Sequence, residues 1–287
     1  MKTNYFILLA VFSAFMLISC KKIDQKDSTN VNSEAIVSNG NMDSLVTKEL
    51  AYPVDDVVHR SYLAYKGSDE EKQPVVFILP EWWGVNDYVK SRAKQIAELG
   101  YIAVVVDYYG EGKVVENPED AGRLSGKFYQ DPVFAKKVFD AAVEQVTYLP
   151  NADMQRMAIM GYCFGGAQAL NMARQSTDFK GAVSFHGNLS TGVRAQNNVA
   201  KYLVFNGGAD TFVSIEEIQS FKKEMDSAGI KYEYENYPGA LHAFTNPAST
   251  ETGKKLNMKI AYDENADKDS WNRLVGFLEQ IFNQSSN

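Results

Sequence analysis

A chain of 287 residues, 45% of them hydrophobic and 12% aromatic, can bury the core of one large α/β domain or two small ones, and reads as globular. A net charge of -7, with no lysine or arginine cluster beyond short pairs, argues against nucleic acid or an anionic membrane surface as partner and leaves small molecules. Of the two cysteines, Cys20 and Cys163, the first is committed elsewhere, so no intramolecular disulfide is expected.

The chain opens with Lys2, an apolar run from Tyr5 to Leu17, and Leu17-Ile18-Ser19-Cys20, which resembles the signal peptide and lipobox of a bacterial lipoprotein. Residues 1–19 are expected to be removed, leaving Cys20 to carry diacylglycerol. The run is too short for an uncleaved spanning helix, which needs ~20 apolar residues. Lys21, in place of an aspartate, gives no inner-membrane retention signal by likeness to lipoprotein sorting rules. The expected address is the cell envelope, at the outer membrane or periplasmic face. Residues 20–46, rich in Lys, Asp, Ser, Asn and Gln, read as a flexible polar tether, and 47–287 as one domain without internal repeats.

Within that domain strand and helix signals alternate. Val57 to Tyr65 reads as an early strand, and Val75 to Leu79 as a strand covered on both faces. Asn86-Asp87 caps a helix running to Gly100, and Tyr101 to Asp107 is the next strand. Asp131-Pro132 opens a helix that reaches Tyr148. Apolar Met157 to Met160 leads into Gly161-Tyr162-Cys163-Phe164-Gly165-Gly166, and a helix follows. Strands Gly181 to Phe185 and Lys201 to Asn206, a helix opened by the capping box Ser214-x-x-Glu217, strand Tyr232 to Tyr237 and a helix from about Asp269 to Phe282 complete the domain. This alternation predicts a mostly parallel sheet with helices on both faces.

The glycines two before and two after Cys163 mark a nucleophile elbow, a sharp strand-to-helix turn whose helix dipole favours the thiolate. An inert cysteine in a glycine-rich turn fits the same residues, so the partners decide. There are three histidines. His59 precedes any nucleophile and reads as structural or surface. His186 ends the strand after the nucleophile helix and could share the rim with Cys163. His242, on a loop after the last strand, fits best the order nucleophile, acid, histidine. Asp210, in Gly207-Gly208-Ala209-Asp210, lies 47 residues beyond the cysteine and 32 before His242. It serves either as a turn residue or as the acid that orients the imidazole.

Together Glu81-Trp82-Trp83-Gly84-Val85-Asn86, the cysteine motif, Gly208-Ala209-Asp210 and Gly239-Ala240-Leu241-His242-Ala243-Phe244 resemble the dienelactone hydrolase family of the α/β-hydrolase fold, over nearly the whole domain. The resemblance implies hydrolysis of a small ester or lactone through a thioester; no cofactor is expected, and no His or Cys pair has the spacing of metal ligands. It implies that Glu81 contacts and helps deprotonate the thiol, and that the backbone N–H groups of Trp82 and Phe164 form the oxyanion hole. A thiolate nucleophile and a neutral histidine base predict a rate that falls in acid. Trp82 and Trp83 suit a pocket wall or the core equally. One departure stands out. The family carries a carboxylate-gripping arginine a few residues after the histidine, where this chain has Ala243, Phe244, Thr245 and Asn246. Arg123 is the candidate in its stead, and Trp83 and His186 are further candidate substrate contacts. The competing readings are a carboxylesterase for acylated sugars or a peptidase of the same fold, and a surface-binding lipoprotein without turnover.

Overall fold

The computed structural model describes residues 44–67, 71–190, 192–195 and 199–283. All of them belong to one compact unit, 39–287. The leader, Cys20 and nearly all of the tether lie outside the described residues.

Among the described residues eight strands form one sheet: β1 (Leu45–Val54), β2 (Val57–Lys66), β3 (Gln73–Leu79), β4 (Ile102–Val105), β5 (Ala152–Tyr162), β6 (Phe179–Phe185), β7 (Lys201–Gly207) and β8 (Tyr232–Tyr237). Their spatial order is β1-β2-β4-β3-β5-β6-β7-β8. The β1–β2 and β2–β4 pairs are antiparallel, and every pair from β4 to β8 is parallel. All of β3 and β4 is buried, as expected for strands sandwiched between helix layers.

The helices are α1 (Asp87–Glu98), α2 (Pro118–Gln130), α3 (Pro132–Thr147), α4 (Phe164–Gln175), α5 (Ile215–Ser227), α6 (Ser249–Leu256) and α7 (Glu264–Asn283). One core packs the sheet against α2, α3, α4 and α5 through Phe128, Val138, Leu170 and Phe221. The other packs it against α1 and α7 through Val89, Ile96, Leu274 and Leu278. The sheet is therefore covered on both faces, an α/β-hydrolase arrangement. The expected caps form: Asn86 Oδ1 accepts from Val89 N at 3.2 Å, Asp131 Oδ1 from Phe134 N at 2.9 Å, and Ser214 Oγ from Glu217 N at 3.1 Å. Glu217 does not close the box. Its carboxylate takes the amides of Leu189 and Ser190 and ties down the loop after β6.

Some elements depart from the sequence expectation. β1 was not anticipated, and it starts at Leu45, inside the stretch read as tether. α2 occupies a segment to which no element was assigned, capped by Asn117 with Pro118 in its first turn. α6 is likewise additional, and α7 begins at Glu264 rather than near Asp269.

Candidate active site

Cys163 sits between the end of β5 and the first residue of α4 with φ 54° and ψ -118°, a conformation costly for a residue with a side chain. The flanking glycines make that turn possible. A Cβ on Gly161 would lie 2.1 Å from Gly165 O, and one on Gly165 would lie 2.1 Å from Leu79 O, so β5, α4 and the end of β3 meet backbone to backbone. The thiol is free and half-buried, and it stands at the positive end of α4.

Asp210, on the turn after β7, and His242, on the loop after β8, reach the same rim. His242 Nδ1 lies 2.8 Å from Asp210 Oδ2, and the ring lines the same pocket as Cys163. Asp210 is itself fixed, its Oδ1 accepting from Phe212 N at 2.7 Å. Burial works against a charged ring at His242. The thiolate charge of Cys163, the hydrogen bonds to Asp210 and Cys163 and the Asp210 charge outweigh it and push the pKa up to about 10. The ring is thus held protonated well above the ordinary histidine range.

Glu81 follows β3 and is 3% exposed. Burial pushes its carboxyl up to about 7, against the Asn246 hydrogen bond and the nearby His242 and Arg92 charges. Its Oε2 accepts from Asn246 Nδ2 at 2.8 Å. Glu81 shares a pocket with Cys163 and His242, but its hydrogen bond goes to Asn246 rather than to the thiol.

That pocket has a volume of 260 Å³ and a wall that includes Trp82, Trp83, Tyr129, Phe164, Phe212 and Met258. The indoles of Trp82 and Trp83 lie 5.0 Å apart, and Phe212 lies 4.8 Å from the His242 ring. Phe164 opens α4, so its N–H has no acceptor within the helix, and Tyr109 OH donates to Trp82 O at 2.8 Å. α2 supplies Tyr129 and Ser125, a contribution missed from the sequence although Asn117-Pro118 signals a helix start. A larger depression of 810 Å³ near Phe221 and Glu224 holds neither the cysteine nor a histidine.

Two candidate substrate contacts are not in this wall. Arg123 is exposed on α2 and ion-paired with Asp120 at 2.7 Å. It faces solvent because the inner stripe of that helix is Ala121, Leu124, Ser125 and Phe128. His186 is 0% exposed and lies beneath the site, both ring nitrogens engaged: Nδ1 is 3.2 Å from Cys163 N and Nε2 is 2.8 Å from Thr245 Oγ1. Trp83 does line the pocket. His59 is buried against Tyr52, with Nδ1 2.6 Å from Asp107 O, and is structural. Among the described residues no Lys or Arg lines the pocket, and no cluster of His, Cys, Asp or Glu could hold a metal ion.

The sequence profile of the dienelactone hydrolase family matches residues 60–282, most of the chain. The chain belongs to the dienelactone hydrolase family. Its similarity to Protein usf of Aquifex pyrophilus is 27% identity over 215 residues, covering 72% of this chain and 88% of that protein. A protein of Aquifex aeolicus, provisionally named a carboxymethylenebutenolidase, is 25% identical over 212 residues, covering 72% of this chain and 87% of its own length. The solved structure named m3DLH superposes with a TM-score of 0.77 at 26% identity, over 83% of this chain and 99% of that one. A dienelactone hydrolase-like promiscuous phosphotriesterase from metagenomic libraries shares the fold with a TM-score of 0.76 at 24% identity, over 83% and 99% of the two chains. Like its family, this dienelactone hydrolase homologue is a carboxylic ester hydrolase.

Proposed function

We propose that the protein hydrolyses small, uncharged esters or lactones through Cys163, His242 and Asp210. The observation that carries this reading is that one imidazole, hydrogen-bonded to Asp210, lines the same apolar pocket as the cysteine of a strained elbow. The Cys163 thiolate attacks the carbonyl carbon, and the oxyanion is held by the N–H groups of Trp82 and Phe164. The His242 imidazolium gives its proton to the departing alkoxide as the C–O bond breaks. In the resulting thioester the sulfur has lost its charge, so the ring has lost the strongest influence holding its proton and is a competent base. It takes a proton from water, the hydroxide adds to the thioester, and collapse releases the acid and restores the thiolate–imidazolium pair. Asp210 holds the ring in one orientation throughout. Thiolate leaves readily, so enol lactones and activated esters suit it better than amides.

The pocket supports the uncharged class. A substrate carboxylate would face aromatic walls and the Glu81 carboxyl, and the neighbouring buried cation, Arg92, is committed to Asp267 and to Thr245 O. We further propose that Cys20 carries a lipid anchor in the cell envelope, the reading supported by the lipobox-like Leu17-Ile18-Ser19-Cys20.

The test uses full-length protein and Cys163→Ala with 4-nitrophenyl acetate. Turnover by the wild type and the buffer rate for the variant are expected, and equal rates would remove the reading. The charge preference is read from kcat/KM for methyl 4-acetoxybenzoate against 4-acetoxybenzoate, each corrected for spontaneous hydrolysis. The methyl ester is expected to lead by about tenfold or more. Parity, or a lead for the carboxylate, would contradict it.

A further inference from the structure

His186 follows β6 with φ 41°, wholly buried, a conformation that persists only where the surroundings impose it. Its own N–H donates to Phe205 O at 2.7 Å. The Cys163 N–H points both at Phe185 O, 2.9 Å away, and at His186 Nδ1, 3.2 Å away. A backbone N–H can only donate, so Nδ1 presents its lone pair and the ring proton sits on Nε2. That proton is donated to Thr245 Oγ1 at 2.8 Å.

Thr245 is three residues beyond His242 and is held from other sides as well. Its Oγ1 lies 2.7 Å from Tyr88 OH, and its carbonyl accepts from Arg92 Nη2 at 2.7 Å. Arg92 is in turn paired with Asp267 on α7. The His186 ring also meets the His242 ring at 5.1 Å and the Phe244 ring at 5.2 Å. One imidazole therefore bonds to the backbone of the nucleophile and to the loop that presents the base.

We propose that His186 is a positioning residue which, as the neutral tautomer protonated at Nε2, ties the strained Cys163 turn to the His242 loop and so sets the thiol–imidazole approach. The titratable groups facing it are Cys163 on the elbow, Tyr162 on β5, His242 on its own loop, and Tyr88 and Arg92 of α1 by way of Thr245. Burial and the positive charges of His242 and Arg92 hold its pKa well below the ordinary histidine value. A protonated ring would forfeit the Cys163 bond and place a second cation against His242.

The kinetic consequence rests on the ester hydrolase reading; the tautomer and the thiol reactivity do not. In a two-bond 1H–15N correlation spectrum of the full-length protein, His186 is expected to show the Nε2–H pattern, unchanged between about pH 5 and pH 9. Titration in that window, or the Nδ1–H pattern, overturns the proposal. His186→Phe keeps a ring but no hydrogen bond, and His186→Asn restores an acceptor near the place of Nδ1. The phenylalanine variant should lose about 30–100-fold in kcat and in Cys163 alkylation by iodoacetamide, with KM unchanged, and asparagine should recover a substantial part. Wild-type rates in a His186→Phe protein with an unchanged melting temperature, or equal losses in both variants, overturn it. Should His186→Phe not fold, Thr245→Val removes the acceptor at the far end and is expected to slow alkylation about tenfold; a wild-type rate there overturns the proposal. A protein that turns over no ester yet keeps the tautomer and the alkylation ranking removes the hydrolase reading and leaves the role of His186 standing. Ester turnover indifferent to His186 does the reverse.

Discussion

Two buried charges at the rim set the pH behaviour. Glu81 has a folded-state pKa pushed up to about 7 by burial, above its unfolded value. The fold therefore binds that proton more tightly than the unfolded chain does. The stability this confers is fully present below the unfolded carboxylate range and is lost as pH rises through about 7. Glu81→Gln should leave stability unchanged near pH 4 and raise it by about 3 kcal/mol at pH 8, read from denaturant unfolding at the two pH values. An equal effect at both would show that the carboxyl does not titrate in this way. His242 makes a second pH statement. Its proton is held until about pH 10, so above that the general acid of the proposed mechanism, needed for a poor leaving group, is lost. kcat/KM for an alkyl ester should fall above pH 10, while that for a 4-nitrophenyl ester, whose leaving group needs no proton, should not. Matching alkaline limbs would contradict the assignment. Cys163, Asp210 and His242 stand out in the sequence because strict glycine spacing and chain order mark them. The Glu81–Asn246 bond joins residues 165 apart and leaves no local pattern, and neither do the two bonds of His186.

The elements that place these residues are held by a few buried polar ties. α4 carries Arg174, whose side chain is 0% exposed and whose guanidinium meets both Glu224 oxygens on α5, at 3.0 and 2.8 Å. Removing one partner of such a pair strands the other charge. Glu224→Ala should cost about 3–5 kcal/mol in unfolding free energy while leaving kcat unchanged, since Glu224 lines no part of the Cys163 pocket. A loss below about 1 kcal/mol would mean that the guanidinium finds water or another acceptor. The elements visible in the sequence were those with strong local signals: the apolar runs of β3 and β5, and the caps Asn86, Asp131 and Ser214. α2 was not, because its buried stripe is only Ala121, Leu124, Ser125 and Phe128, interrupted by Gly122 and Gly126, which weaken helix propensity. β1 was not, because as an edge strand it buries only Tyr52 and Val54 fully, and its exposed positions Ala51 and Pro53 are not polar enough to mark the alternation.

In the whole molecule the strand order explains why distant stretches converge. β3, β5, β7 and β8 run parallel in one sheet, so the loops after them, bearing Glu81, Cys163, Asp210 and His242, open on one edge. Cys163, Asp210 and His242 then reach that edge in chain order as a consequence of the topology. The proposed lipid anchor is tested at this scale. Cys20→Ala should abolish incorporation of labelled palmitate and move the protein from the membrane to the soluble fraction. Unchanged labelling and fractionation would exclude Cys20 as the attachment point. The central claim, a covalent thioester on Cys163, is tested most directly by acid-quenching full-length protein during turnover of 4-nitrophenyl acetate and mapping the acyl group by peptide mass spectrometry. The account predicts one hydroxylamine-labile acetyl group on Cys163, accumulating further in His242→Ala; acetylation at another residue with Cys163 unmodified, alongside undiminished turnover, would contradict it.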